Sequence, residues 1–306
     1  MMNEGKAAGC MLCPRFCGAD RQNGKKGYCG VDGDIFIARA APHMWEEPCI
    51  SGDKGSGAVF FSGCSLHCVF CQNRDISLGP AGKNVSIGRL AEIFLELQEK
   101  NVYNINLVTP THYSDQIVPA VKKAREMGLK TPIVYNCSGY EAVSTVKLLE
   151  NTVDIWMPDF KYFSAVSALK YSGCPDYFER ASEALDEMVR QLKGEGCCFN
   201  EKGIMQRGVI VRHMLLPGNV AESKRIIRYL HERYGNEIYL SIMSQYTPMP
   251  HILESDKYPE LKRKVTKEEY DRLVDFALKI GVENAFIQEG EVASDSFIPA
   301  FNGEGV

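Results

Sequence analysis

Three cysteines lie in Gly63-Cys64-Ser65-Leu66-His67-Cys68-Val69-Phe70-Cys71-Gln72-Asn73, in C-x3-C-x2-C spacing, directly after the apolar run Ala58 to Ser62. Three thiolates suffice for three irons, and a [4Fe-4S] cluster normally takes four cysteine ligands. A compact triad therefore leaves one iron open to a ligand that is not protein. An open iron can chelate the amino and carboxylate groups of a small molecule, and the cluster can pass one electron into it. The competing reading is a zinc knuckle or a set of core cysteines. Structural zinc usually shows four protein ligands, however, and buried thiols need no tight spacing.

A second set, Cys10, Cys13, Cys17 and Cys29, reads C-x2-C-x3-C-x11-C in a stretch too small to fold by burial alone. Four soft ligands suit structural zinc, a mononuclear iron or a second cluster, and spacing does not choose among them. The reading leans towards iron or iron-sulfur. The chain has 12 cysteines, and eight of them precede Gln72. The start, Met1 to Ala8, is polar and has no signal-peptide pattern, so thiolate ligation outweighs disulfides. Cys49, Cys174, Cys197 and Cys198 have no such company. Cys197-Cys198 reads as a loop pair, and Cys137 as a small buried thiol or a neighbour of a cofactor.

The elements that must position these residues follow a βα rhythm from Ala58 onward. Candidate strands are Ala58 to Ser62, Ile105 to Thr109, Ile133 to Cys137, Val153 to Met157, Val209 to Leu215, Ile238 to Met243 and Ala285 to Gln288. Helical spacing of apolar residues appears at Ile87, Leu90, Phe94 and Leu97, and again at Ala181, Ala184, Leu185, Met188, Val189 and Leu192. Near the C-terminus Thr266 and Glu269 form a capping box, Tyr270, Leu273, Val274 and Ala277 make one apolar face, and Gly281 ends the helix. The pattern predicts an α/β fold, a full or partial (β/α) barrel of about six or seven parallel strands, with an open doubly wound sheet as the alternative. Residues 1–50 break the rhythm and are expected to form a small Cys-rich metal-binding leader, with the barrel domain over residues 51–306.

The 306 residues carry a formal charge of −4, from 35 basic and 39 acidic side chains, and 45% are hydrophobic. That usage is globular and excludes collagen, coiled coil and disorder. No apolar run is long enough to span a membrane. No charge run indicates nucleic acid, and the expected location is cytoplasmic.

With Phe70 before the third cysteine and the triad at a strand-to-loop junction, the segment resembles the radical S-adenosylmethionine superfamily. From Cys10 to about Gln288 the chain is similar to the pyruvate formate-lyase activating enzymes, and most closely to shorter, functionally unassigned paralogues with an N-terminal Cys-rich leader. The supporting stretches are Asn106 to Tyr113 (NLVTPTHY), Tyr135 to Tyr140 (YNCSGY), Met157 to Tyr162 (MPDFKY) and Val211 to Gly218 (VRHMLLPG). Each falls at the expected C-terminal end of a strand, where barrel enzymes build their sites.

The resemblance implies an oxidoreductase whose [4Fe-4S] cluster, on Cys64, Cys68 and Cys71, cleaves S-adenosylmethionine reductively to a 5′-deoxyadenosyl radical that abstracts hydrogen. It implies cofactor contacts at Phe70, Thr109, Asn136, Ser138, Asp159, Lys161 and Arg212. Asp159 and Lys161, two apart in a strand-end segment, point to the same side, suited to ribose hydroxyls and to the methionyl carboxylate. The relatives' Asp-Thr-Asn-Gly-like turn is Asn136-Cys137-Ser138-Gly139 here, which removes one negative charge from a cation site known in them. Where the relatives have a Gly-Gly-Glu-like segment this chain has Val108-Thr109-Pro110-Thr111-His112, in which the Thr109 carbonyl can still accept from the methionyl amine and Thr111 or His112 can add a side chain. His213 can pack in the barrel wall, and Tyr113 and Tyr246 are further candidates for substrate contact.

The implied partners are a glycyl radical enzyme or another protein substrate, and a flavodoxin- or ferredoxin-like electron donor. Radical modification of a peptide, RNA or small metabolite is the alternative activity. A non-catalytic iron-sulfur or zinc protein is the third class, disfavoured by the barrel pattern and the polar residues at its strand ends.

Overall fold

The computed structural model describes residues 9–288 and 299–306; the polar start Met1 to Ala8 and residues 289–298 lie outside the described residues. Ten strands form: β1 (Ile35–His43), β2 (Ser56–Phe61), β3 (Lys83–Val85), β4 (Ile105–Val108), β5 (Ile133–Cys137), β6 (Ile155–Pro158), β7 (Cys198–Phe199), β8 (Met205–Met214), β9 (Tyr239–Met243) and β10 (Ala285–Ile287). The helices are α1 (Pro48–Ser51), α2 (Arg74–Ser77), α3 (Ile87–Glu99), α4 (Ser114–Glu126), α5 (Val143–Leu148), α6 (Ala165–Ser172), α7 (Tyr177–Arg190), α8 (Val220–Tyr234), α9 (Pro250–Leu253) and α10 (Lys267–Lys279).

All seven anticipated strands are present, as β2, β4, β5, β6, β8, β9 and β10, and they run parallel side by side. The sheet order is β10-β9-β8-β6-β5-β4-β2-β1-β3, with β7 pairing with β8. A doubly wound sheet needs a reversal in strand order, and the parallel strands show none. Successive right-handed crossovers therefore place the helices on one face. The other face curls around one cavity, since Phe60 of β2, Val108 of β4, Asn136 of β5, Arg212 of β8 and Met243 of β9 all line it. The fold is the partial, open form of the expected (β/α) barrel.

Period-2 alternation sorts the strand residues between the two faces. Tyr135, Trp156, Val209 and Val211 pack with the helix residues Leu90, Phe94, Ile117 and Leu185 in the main core. Their neighbours Val134, Ile155, Met157 and Ile210 face inward onto Cys49 and Ile50 of α1, which closes that side of the interior. Each such buried aliphatic side chain contributes about 1.5–3 kcal/mol. Local signals fix the helix ends: Ser86 caps α3 through the Arg89 amide. The Thr266–Glu269 capping box is complete in both directions, and Gly281 follows α10 at φ 91°.

Two expectations need correction. The expected leader spans residues 1–50, but Ile35–His43 belongs to the sheet, where it pairs antiparallel with β2 and β3. Its apolar run Ile35-Phe36-Ile37-Ala38 is a strand signal beside the charge-rich stretch that precedes it, so the Cys-rich segment ends before β1. Cys198 begins the short strand β7 rather than lying in a loop, while Cys197 stays outside it. No helix among the described residues is long and apolar enough to cross a membrane.

Candidate functional site

Main-chain hydrogen bonds at the C-terminal ends of the parallel strands bring the polar side chains together. The Thr109 amide donates to the Asn136 carbonyl at 2.9 Å, the Asp159 amide to the Cys137 carbonyl at 2.9 Å, and the Phe160 amide to the Arg212 carbonyl at 2.7 Å. Sheet pairing thus extends one residue past β4 and β6 and lines up residues far apart in sequence. Gly139, at φ 77°, is required there, because a β-carbon would lie 2.1 Å from the Asp159 carbonyl oxygen. Thr109 itself sits at φ 59°, a region costly for a β-branched residue and often found at functional sites.

The cavity enclosed by these ends measures about 250 Å³. Cys64, Cys68, Cys71 and Phe70 line it together with Thr109, Asn136, Cys137, Ser138, Asp159, Lys161 and Arg212. All ten of the residues expected at the cluster and cofactor therefore share one cavity. The expected substrate residues do not. His112 is buried with Nε2 2.7 Å from the Ser62 carbonyl, and its own carbonyl accepts from Arg21. Tyr113 donates to the Ser62 carbonyl at 3.1 Å, and Tyr246 to the Leu261 carbonyl at 2.6 Å. Thr111 donates to Glu141 at 2.8 Å. His213 joins the Phe160 carbonyl and the Ser223 hydroxyl at 2.7 and 2.8 Å, as a wall residue.

Charge in the cavity is organised around Asp159 and Arg212. Lys161 Nζ lies 2.5 Å from Asp159 Oδ2, and Arg212 Nε donates to Oδ1 at 3.0 Å. Arg212 also donates to Asn136 at 2.6 Å and to Glu46 at 3.2 Å. Burial pushes the Asp159 carboxyl up, but Lys161 and Arg212 outweigh it and hold it below the usual carboxylate range. Burial works against the Lys161 ammonium too, and Asp159 more than compensates, so it stays charged.

Glu46 and Glu47 were not anticipated. They precede α1, and both carboxyls are raised by burial while Arg212 pulls them down. Glu46 lines the cavity and accepts from Asn106 at 2.9 Å. Glu47 Oε2 is buried without a hydrogen-bond partner among the described residues. An adjacent acidic pair before Pro48, after an apolar strand, is the only local sign of them.

The triad loop is anchored from several directions. Gly63, at φ 87°, lets the Cys29 carbonyl come within 2.7 Å of where a β-carbon would stand, and the Cys64 amide donates to that carbonyl at 3.1 Å. Burial pushes the Cys64 thiol up to about 11 and the Cys71 thiol up to about 12, with the neighbouring triad sulfurs adding to both shifts. A set of three soft thiol donors lining one cavity fits a cluster that takes thiolates and compensates their charge, rather than a hard cation.

In the leader, the Cys17 and Cys29 sulfurs each lie 3.3 Å from the place of a Gly27 β-carbon. Cys13 and Cys29 are buried, Cys10 half-buried and Cys17 exposed. Burial pushes the Cys13 thiol up to about 12; for Cys17 the amides of Ala19 and Tyr28 overcome burial and lower it. Among the described residues no group of three or more His, Cys, Asp or Glu side chains is arranged to hold a single metal ion.

Behind the cavity wall, Glu141 is fully buried and accepts from Thr111 at 2.8 Å and Tyr135 at 3.3 Å. Burial pushes its pKa up to about 8. Because the folded value lies above the unfolded one, the native state keeps a proton that the unfolded chain gives up. Stability is therefore expected to fall as pH rises from about 5 to about 8, by an amount on the order of a few kcal/mol. Urea unfolding of Glu141→Gln across that range is expected to show a flatter profile than the parent, and parallel profiles would assign the slope to other groups.

Residues 51–166 match the family model of a 4Fe-4S single cluster domain. Over 283 residues the chain is 24% identical to an uncharacterized protein of Methanocaldococcus jannaschii, covering 90% of this chain and 75% of that protein. Among solved structures, Streptococcus suis SuiB bound to the precursor peptide SuiA is similar with a TM-score of 0.49 and 15% identity, over 75% of this chain and 47% of that one. SuiB bound to S-adenosylmethionine gives a TM-score of 0.46 and 15% identity, over 77% and 46% of the two chains. This chain thus spans about half the length of SuiB. The triad Cys64, Cys68 and Cys71 lies inside the matched segment.

Proposed function

We propose that the chain is a radical S-adenosylmethionine enzyme that acts on a protein substrate in the manner of a glycyl radical enzyme activating enzyme. The observation that carries this reading is the shared cavity, lined both by the three thiols and by the Lys161–Asp159–Arg212 network.

A [4Fe-4S] cluster held by Cys64, Cys68 and Cys71 would supply the single electron, received from a reduced flavodoxin- or ferredoxin-like carrier, for cleavage of S-adenosylmethionine to methionine and a hydrogen-abstracting 5′-deoxyadenosyl radical. The residues of this chain bind and orient. Lys161 carries a permanent positive charge for the methionyl carboxylate, and Asp159 offers acceptor oxygens to ribose hydroxyls. The Thr109 main chain, turned by its positive φ, presents polar atoms at the end of β4 for the methionyl amine. Arg212 fixes Asp159 and Asn136 in one arrangement, so that binding requires little reordering. Phe70 is packed edge-on by Tyr162, Tyr171 and Tyr246, an aromatic wall that keeps water away from the thiols.

The test is anaerobic reconstitution with iron and sulfide, followed by dithionite and S-adenosylmethionine. The expected result is 5′-deoxyadenosine and methionine in equal amounts. A fully loaded protein that yields neither would remove the reading.

A further inference from the structure

The three triad sulfurs are not treated alike. Cys64 Sγ accepts from the main chain, with the Leu66 amide 3.4 Å away. Cys68 Sγ accepts a 3.0 Å hydrogen bond from the hydroxyl of Ser172, which lies 104 residues later at the end of α6. Behind Ser172, the Tyr162 hydroxyl is 2.6 Å from Ser172 Oγ. Ser172 has one proton, and it is committed to the sulfur, so Tyr162 must donate to Ser172. The result is a directed chain from Tyr162 to Ser172 to Cys68, buried at 1%, 4% and 7% exposure respectively.

Ser172 is held in place by the leader. One guanidinium, that of Arg15, donates to the carbonyls of Ser65 at 2.9 Å, Ser172 at 2.8 Å and Gly173 at 2.6 Å. It therefore ties the triad loop to the end of α6. The Arg15 guanidinium stacks 4.1 Å from the Tyr28 ring, and Tyr28 stacks on His67 inside the triad loop. The Val69 amide adds a direct main-chain bond to the Tyr171 carbonyl at 2.9 Å.

Hydrogen bonds to the sulfurs of an iron-sulfur cluster draw electron density from the thiolate and favour the more negative, reduced state. In a buried site the effect is weakly screened. We propose that Ser172, backed by Tyr162 and positioned by Arg15, raises the reduction potential of the cluster through its hydrogen bond to Cys68. This inference rests on the proposed cluster chemistry of the triad and adds a tuning residue outside the motif, with the leader as its support.

The experiment is a redox titration of the anaerobically reconstituted full chain, followed by the electron paramagnetic resonance signal of the reduced cluster. Ser172→Ala is expected to shift the midpoint to a more negative potential, Tyr162→Phe to shift it in the same direction by less, and Ser172→Thr, which keeps the hydroxyl, to return it towards the parent. Arg15→Lys is expected to lie between the parent and Ser172→Ala. A normal cluster signal with an unchanged midpoint in Ser172→Ala overturns the proposal and leaves the cluster reading standing. If Ser172→Ala takes up no cluster, Tyr162→Phe decides, and an unchanged midpoint there overturns the chain of donors. A parent protein that takes up no cluster overturns instead the reading on which the inference rests.

Discussion

Cys68→Ala is expected to lose the cluster and to yield no 5′-deoxyadenosine above the dithionite control. The substitution leaves Cys64 and Cys71 as the only triad thiolates for four irons, too few to hold the cluster. It also strips the Ser172 hydroxyl of its acceptor in a buried position, so a local cost of about 1–3 kcal/mol adds to the loss of ligation. Iron and sulfide content, visible absorbance and product chromatography read the outcome together. Cys49→Ala is the matched comparison. That thiol is equally buried, but it packs on the interior strand residues under α1 and does not line the cavity. It is expected to keep both cluster and product, at a stability cost of about 1 kcal/mol. Product from Cys68→Ala at the parent level would take the triad out of the chemistry.

The second large effect is expected from Arg212→Ala. This guanidinium donates to Asp159, Glu46 and Asn136, and its side chain is only 16% exposed. Removing one partner of a buried ionic network leaves carboxylates without compensation, which typically costs about 3–5 kcal/mol. Lys161 still neutralises Asp159, so the burden falls mainly on Glu46, whose carboxyl burial already raises and Arg212 pulls back. Without the guanidinium, Glu46 keeps its proton in the folded state while the unfolded chain releases it. The variant's deficit is therefore expected to grow as pH rises above about 5, and to be smaller in mild acid. Urea unfolding at two pH values measures this, and equilibrium dialysis of S-adenosylmethionine on the loaded protein is expected to show weaker retention. A variant as stable as the parent at both pH values would mean that the network contributes nothing to the fold.

The chemistry was legible where it is written locally. The triad needs only eight consecutive residues and the strand before them, and Asp159 with Lys161 needs only the two-residue alternation at a strand end. The seven parallel strands announce themselves by short β-branched runs, and α10 by its capping box. Helix caps and strand alternation are consequences of backbone geometry within a few residues, so a single stretch of chain carries them.

Other features depend on topology. Glu46 meets Arg212 across 166 positions, and Arg15 meets Ser172 across 157; the strand order sets β1 beside β2, so that the segments before and after it reach residues from the far half of the sheet. His112 and Tyr246 looked free for substrate as residue types, yet their bonds to the Ser62 and Leu261 carbonyls are set by how distant segments pack. Residue type and spacing thus determined by themselves where the close-spaced thiol set stands and which kind of sheet this chain makes. Only the tertiary structure decided which buried charges and donors surround that set, because a hydrogen bond is fixed by proximity in space, and between residues more than a hundred positions apart that proximity is settled by strand order rather than by local sequence.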